Sequence, residues 1–444
     1  MRSVLILGAG RSSSSLIDYV LSQAEANQWL VTVGDVSENA ARERVGDSRV
    51  GKAISFDIQQ ETSSDVIAKH DVVISVIPAM LHPLVAKKCL QHDKHLLTAS
   101  YVSPEMRALD AEAKGKGLLF LNECGLDPGI DHMSAMQVMD RVRNEGGTIH
   151  SFESFTGGLI APETDPENPW RYKFTWNPRN VVMAGQSTAK FLQDGAYKYI
   201  PYQQLFKSVT PVVVPCYGEY EGYANRDSLG YRSLYGLDDV KTMLRGTLRN
   251  TGFCSAWNVL VQLGCTDDSY KMEKVAGMTH RSFLQSFLTK AASNMEHMVA
   301  SQTGVVAGGP EIQRLKWSGL FEETPVGLSE GTPAQVLEHI LNKKWKLSPS
   351  DRDMIVMWHR FRFTLKGKEN EIQATLIAKG DDGVRTAMAK TVGLPLGIAA
   401  KLLLQGKIQS RGVVIPVGAE FYEPILAELK TLGVELNEEL EIRN

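Results

Sequence analysis

Five short apolar runs, SVLILGAG, WLVTVGD, DVVISVIP, KHLLTAS and KGLLFLNE, recur through the first 120 residues, with helically spaced stretches such as Ser14 to Asn27 and Pro83 to His92 between them. Parallel strands need a crossover connection, and a helix is the usual one. The alternation predicts a doubly wound parallel sheet, whose ligand sites lie at the carboxyl ends of its strands. Gly8-Ala9-Gly10 closes the first run and opens a helix. In that context the first glycine permits the turn, and the second lets backbone N–H groups approach a pyrophosphate. Ser13 stands at the third glycine position, so the fingerprint is incomplete. The second run ends in Gly34-Asp35, where a carboxylate accepts from an adenosine ribose 2′-OH and repels the 2′-phosphate of NADP. NAD is expected over NADP. Arg11, Arg42 and Arg44 are the residues that would favour the phosphate.

After His132 the pattern changes. SFESFTGGL, QLFKSVTPVVVPC, DMIVMWHRFRFTLKG and EIQATLIAKG read as longer strands joined by hairpins or meanders, while residues 266–348 carry helical spacing. The expected fold is α/β: a Rossmann-type dinucleotide domain over residues 1–127, then an α+β substrate domain over 128–383 with a helical subdomain at 266–348. The segment 384–444, rich in helix, is expected to return to the first domain. A chain of 444 residues with 43% hydrophobic content has enough apolar material for such cores. A net charge of −3 leaves no basic field for nucleic acid. Apolar runs such as Val72 to Met80 fall short of a bilayer span, so no membrane partner is expected. Met1 leads directly into a strand without a leader, and five cysteines lack any CxxC pairing, which together suggest a cytoplasmic enzyme.

VISVIPAMLHPLVAKKCL, LLTASYVSPEM, ECGLDPGIDHM, GGLIAPE, NPWRYKFTWNP, YANRDSLGY, LRGTLRNTGF and TAMAKTVGLP, in this order, resemble the glutamate-forming saccharopine dehydrogenase family. The likeness is strongest to the dehydrogenase half of the bifunctional aminoadipic semialdehyde synthase. It covers nearly the whole chain. The reductase half is missing, so a stand-alone enzyme is expected, with a homodimer plausible for the class. The resemblance implies oxidation of saccharopine by NAD(P)+ and water to glutamate and 2-aminoadipate 6-semialdehyde, in lysine metabolism. It also implies site residues. Gly8 would turn the cofactor loop, Ala9, Gly10, Arg11 and Ser12 would meet the pyrophosphate, Asp35 the ribose, Asp57 and Ile58 the adenine surroundings, and Ile77, Thr98 and Leu126 the nicotinamide half, with Thr175 a further cofactor contact. Ser100, Tyr101, Asp127, Arg226, Thr247, Leu248 and Arg249 would meet the substrate. Thr156 stands where several relatives have a cysteine, so no thiol chemistry is assigned there.

The chemistry asks for such residues. Saccharopine carries three carboxylates, and arginine's planar fork suits them. Arg171, Lys173 and Arg245 are further, less specific candidates. Hydride can leave the carbon beside the secondary nitrogen only if that nitrogen sheds its proton, so a proton acceptor is needed. Asp127 would either pair with the ammonium or take its proton. Tyr101 would hydrogen-bond the nitrogen or a carboxylate. His132 reads as either a helix-start residue or an acid-base group, and His82 as a helix-entry or packing residue. In NECGLDPGIDHM, Asp131 and His132 are adjacent and diverge if a helix begins there, so no metal site is expected. Two other readings stay open: a carboxyspermidine or homospermidine type of amine dehydrogenase, needing fewer arginines, and a non-catalytic nucleotide sensor, with no use for Arg226, Arg249 and Asp127 together.

Overall fold

The computed structural model describes residues 1–289 and 294–443, so residues 290–293 of the expected helical subdomain and residue 444 lie outside the described residues. The chain divides into two compact units, Met1–Thr148 with Leu376–Asn437, and Ile149–Thr375 with the strand residues from Glu438 onward.

In the first unit, β1 (Ser3–Leu7), β2 (Leu30–Asp35), β3 (Gly51–Ser55), β4 (Val72–Ser75), β5 (His95–Thr98) and β6 (Leu119–Leu121) form a parallel sheet with a late strand, Gly412–Val414. The order is Gly412–Val414, β6, β5, β4, β1, β2, β3, and every pairing is parallel. Strands β2 and β3 lie on one side of β1, and β4 to β6 on the other. The direction of winding therefore reverses at β1, whose carboxyl end carries the glycine loop. Helices α1 (Ser14–Asn27), α2 (Glu38–Val45), α3 (Ser63–Ala68), α4 (His82–Gln91), α5 (Pro104–Arg107), α6 (Asp110–Gly115) and α7 (Ile130–Asn144) complete its N-terminal part.

The helix Ala387–Leu404 belongs to this unit and packs on α1. Gly393 and Gly397 make the approach possible. A Cβ on Gly393 would lie 2.8 Å from the Leu16 backbone nitrogen, and one on Gly397 2.5 Å from Cδ1 of Tyr19. The Ser14 hydroxyl also donates to the Val384 carbonyl at 3.0 Å. By length and composition this helix could cross a bilayer, contrary to the expectation that no run is long enough. It instead serves as core: fifteen of its residues, from Ala387 to Leu404, are buried.

Two boundaries differ from the sequence reading. The compact division falls after Thr148 rather than Asp127, because α7 stays with the first unit: Met133, Met136 and Met139 are buried, and the Tyr422 hydroxyl donates to Asp140 at 2.9 Å. The segment 384–444 does not return as a whole, because the strand Leu436–Arg443 leaves to join the second sheet.

The second unit is built on a mixed sheet of β7 (Thr148–Ile160), β8 (Ala189–Gln193), β9 (Ala196–Ile200), β10 (Val209–Val214), β11 (Gly218–Ala224), β12 (Thr242–Asn250), β13 (Asp353–Leu365), β14 (Lys368–Lys379) and Leu436–Arg443. Its main path runs β10, β11, β12, β7, β13, β14 and the C-terminal strand, with β8 attached to β12 and β9. Helices Phe253–Leu263 and Pro333–Trp345 share an aromatic core in which Trp170, Tyr172, Phe253, Trp257 and Trp345 meet mostly edge to face.

The Gly393 contact predicts its own cost. Gly393→Ala should destabilise by about 1–3 kcal/mol through overpacking, read as a lower urea midpoint. Gly115→Ala, whose added Cβ meets nothing within 4 Å, should leave the midpoint nearly unchanged.

Candidate functional site

The carboxyl edge of the parallel sheet gathers the first set of groups. Gly8 turns the chain out of β1 at φ 107°, its N–H donating to the Gly34 carbonyl at 2.8 Å. A Cβ on Gly10 would meet nothing within 4 Å, so its bareness serves no contact inside the protein and leaves the backbone open to a ligand. Ser13 is buried and donates its hydroxyl to the Gly10 carbonyl at 2.8 Å, which accounts for the missing third glycine. Asp35 is anchored twice: Oδ2 accepts from Ala9 N at 2.8 Å and Oδ1 from Ser37 N at 2.9 Å. The carboxylate thus ties the glycine loop to β2 and holds a negative charge there. Arg11 is exposed, and Arg42 pairs with Glu38 on an exposed helix face.

The remaining expected cofactor positions of this unit follow the same edge. Asp57 and Ile58 follow β3, Ile77 follows β4, Thr98 ends β5, and Leu126 follows β6. Ile58 is buried in the apolar core, and its carbonyl accepts from Lys88 Nζ at 3.0 Å, so its side chain supports the turn. Donors, bare backbone and acidic strand end together fit a dinucleotide.

Beside them, the Tyr101 hydroxyl donates to Asp127 Oδ1 at 3.1 Å. The Asp127–Pro128 peptide is cis. Glu123 is buried, its Oε1 accepting from Val102 N at 3.0 Å and its Oε2 lying 2.9 Å from His132 Nε2. His132 Nδ1 is 3.7 Å from Asp131, whose other oxygen accepts from Gly129 N at 2.6 Å. His132 is fully buried, a strut between two carboxylates that frame the turn presenting Asp127. Among the described residues no group of His, Cys, Asp and Glu side chains is arranged to hold a metal ion.

His82 is the residue whose place the sequence reading understated. It is buried, and its Nδ1 lies 3.0 Å from Ser75 Oγ, while Nε2 lies 2.9 Å from Ser100 Oγ and 3.0 Å from Thr98 Oγ1. Burial pushes its pKa down to about 4, so the imidazole is neutral near pH 7. The signal available in the sequence was only its position after a strand of the parallel sheet.

In the second unit β12 alternates. Arg245, Thr247 and Arg249 share one face, whereas Leu248 is buried on the other and can reach a ligand there only through its backbone. Arg249 is 5% exposed. Its guanidinium stands 5.1 Å from the ring centre of Tyr172, 5.2 Å from Phe253 and 5.9 Å from Tyr223, and one N–H donates to the Leu248 carbonyl at 3.1 Å. Its Nε has no hydrogen-bond partner among the described residues, and no carboxylate among them pairs with it. Glu221, its cross-strand neighbour on β11, is committed to the start of helix Phe253–Leu263 and accepts from Gly252 N and Cys254 N at 2.7 and 2.9 Å. Burial pushes the Tyr172 phenol up to about 12 and raises that of Tyr223, so neither supplies a counter-charge. The aromatic sleeve was not legible in the sequence.

Lys173 differs: it is buried but paired, with Asp165 at 3.0 Å and Asp351 at 2.8 Å. Arg245 lies 4.4 Å above the ring of Tyr231. Arg226 and Arg171 are exposed residues with left-handed backbones, at φ 53° and 45°. Thr156, which pairs with Thr247 across β7 and β12, and Thr175 are buried with hydroxyls unpartnered among the described residues.

Comparison with known proteins follows these lines. Residues 4–121 match the family model described as "Saccharopine dehydrogenase NADP binding domain", and residues 125–434 match "Saccharopine dehydrogenase C-terminal domain". The chain is 33% identical to "Saccharopine dehydrogenase [NADP(+), L-glutamate-forming]" of Saccharomyces cerevisiae, covering 98% of this chain and 99% of that one. It is 34% identical to "Alpha-aminoadipic semialdehyde synthase, mitochondrial" of Bos taurus over 98% of this chain, but spans about half of that relative's length, 47%. The solved apo structure of the S. cerevisiae saccharopine dehydrogenase (L-Glu forming) superposes with a TM-score of 0.90 at 31% identity, covering 99% of this chain and 100% of that one.

The buried neutral His82 gives stability a pH dependence. Its folded pKa, near 4, lies below the unfolded value of about 6.5, so the unfolded state binds the extra proton. Its contribution leaves stability untouched above about pH 6.5, subtracts progressively as pH falls through that window, and reaches on the order of 3 kcal/mol below pH 4. Urea midpoints measured at pH 7.5 and 4.5 should therefore fall more steeply for the wild type than for His82→Gln.

Proposed function

The chain belongs to the saccharopine dehydrogenase family, and on that premise we propose that it oxidises saccharopine with NAD(P)+ and water to L-glutamate and 2-aminoadipate 6-semialdehyde, reversibly, as an oxidoreductase of lysine metabolism. Arg249 is the observation that carries the reading. A guanidinium stays charged at any accessible pH, and burying it without a carboxylate is costly. A substrate with three carboxylates supplies the missing partner. A homospermidine-type amine would leave that charge without one.

When bound, NAD(P)+ accepts the hydride from the carbon beside the secondary nitrogen. The protein's own groups handle protons and charge. Asp127 takes the ammonium proton, which frees the nitrogen lone pair to form the iminium; water then adds to the iminium carbon and releases a proton to solvent, and Asp127 returns its proton to the nitrogen as the C–N bond of the carbinolamine breaks to give aldehyde and glutamate. The Tyr101 hydroxyl, hydrogen-bonded to Asp127, steadies that carboxylate. Ser100, Arg226, Thr247, Arg249 and the backbone of Leu248 hold the substrate. Gly8, Ala9, Gly10, Arg11, Ser12, Asp35, Asp57, Ile58, Ile77, Thr98, Leu126 and Thr175 hold the cofactor. A cytoplasmic homodimer acting on this small molecule, without nucleic acid or membrane, completes the proposal. Five free cysteines, four of them buried, support a reducing compartment, while the bovine relative is named mitochondrial.

Asp35, anchored by two backbone donors, supports NAD over NADP, whereas the fungal relatives are named for NADP(+). Reduced-cofactor absorbance with purified protein and saccharopine tests both points: turnover is expected, with a higher kcat/KM for NAD+. No turnover with either cofactor refutes the activity. A strong preference for NADP+ refutes only the assignment of Asp35. Asp35→Ser should move the preference toward NADP+ by about tenfold or more, on the order of 1.4 kcal/mol.

Arg249→Met should lower kcat/KM for saccharopine by at least about 30-fold, the effect of removing one partner of a desolvated charge pair. The same variant should melt no lower than the wild type, because relief of the unpaired buried charge offsets the lost hydrogen bond to the Leu248 carbonyl and the lost ring contacts. An unchanged kcat/KM would remove the carboxylate role.

A further inference from the structure

His82 joins two parallel strands at their carboxyl ends. Ser75 closes β4, Thr98 closes β5, and the two are register partners. One imidazole reaches both: Nδ1 touches the Ser75 hydroxyl, and Nε2 touches the hydroxyls of Thr98 and Ser100. Ser75, His82 and Thr98 are buried, while Ser100 is half-buried.

The segment beyond Thr98 is held nearly residue by residue. Ser100 N donates to Thr98 Oγ1 at 3.2 Å, and the Ser100 carbonyl accepts from Glu123 N at 3.1 Å. Tyr101 is fixed through Asp127 and Val102 through Glu123. Those holds on Tyr101 and Val102 all come from the Glu123–Asp127 turn. The Ser100 hydroxyl is held from the other side, by His82 at the start of α4. A neutral imidazole has one donor and one acceptor nitrogen, so in either tautomer it fixes a hydroxyl on each side without carrying charge into the site.

We propose that His82 is a positioning residue for the reaction: through Nε2 it sets the Ser100 hydroxyl against the substrate, and it does not touch the substrate itself. The inference rests on the assignment of Ser100 to the substrate in the preceding section.

A kinetic double-mutant cycle with the full-length chain and saccharopine tests it. Ser100→Ala should lower kcat/KM. His82→Leu should lower kcat/KM by about tenfold in the wild-type background and by less than about twofold in the Ser100→Ala background. Gln and Asn separate positioning from folding. The amide of His82→Gln reaches toward Nε2 and should keep activity within about threefold of wild type, whereas His82→Asn reaches only toward the Ser75 side and should behave as His82→Leu. If His82→Leu does not fold, the Gln and Asn variants carry the cycle, with melting temperatures as the check on folding.

Equal losses in both backgrounds, wild-type kinetics for His82→Leu, or equal activity of the Gln and Asn variants would each overturn the role of His82 while leaving the proposed activity intact. A Ser100→Ala variant with unchanged saccharopine kinetics overturns the placement of Ser100 and the inference with it. Absence of saccharopine turnover by the wild type overturns both the activity and the inference.

Discussion

Parallel strands can be joined only by carrying the chain back to the same starting end each time, and that requirement shapes everything chemical in the first unit. Each return leaves a loop at the carboxyl edge. The glycine loop, Asp35, Asp57, Ile77, Thr98 with Ser100, and Leu126 with Asp127 are six such exits. Hydrogen bonds then run sideways between exits: Asp35 to Ala9, His82 from Ser75 to Thr98 and Ser100, Glu123 to Val102. The sheet supplies proximity, and these lateral bonds supply precision.

The second unit uses a different device. Two of its buried basic side chains, Lys173 and Arg249, have opposite outcomes. Lys173 sits between Asp165 and Asp351 and is satisfied within the protein. Arg249 sits among the rings of Tyr172, Tyr223 and Phe253, the two phenols held neutral by burial, and its acidic cross-strand neighbour Glu221 is tied to a helix start. Both are buried basic side chains. Only the second has no carboxylate partner among the described residues, and the binding role proposed for Arg249 rests on that difference.

Much of the first unit is legible in the sequence. The strand and glycine pattern of the first 120 residues determines a parallel sheet, because its cues are local: apolar runs, turn glycines and an acidic strand end. The placement of α7 was not legible, since its partner helix lies nearly three hundred residues further on and no local signal announces the Asp140 to Tyr422 contact. Leu248 was expected beside Thr247 and Arg249, but a strand turns alternate residues to opposite faces, and the motif LRGTLR, read as a string, conceals that. His82 looked like packing because a histidine next to a proline at a helix start has an ordinary explanation. Its three hydroxyl partners come from two strands and a loop, which only the fold assembles.

The wedge of Gly393 and Gly397 against α1 also bears on how the protein is made. The first unit is interrupted by Ile149–Thr375, nearly all of the second unit, and the helix that braces α1 is synthesised only after that segment. Until then α1 lacks its partner, and the glycine loop in front of it stands on an unfinished core. The intervening unit contains most of its own sheet and aromatic core and can consolidate while the first unit waits. The glycine loop therefore precedes, by more than the length of the intervening segment, the helix that completes the core behind it.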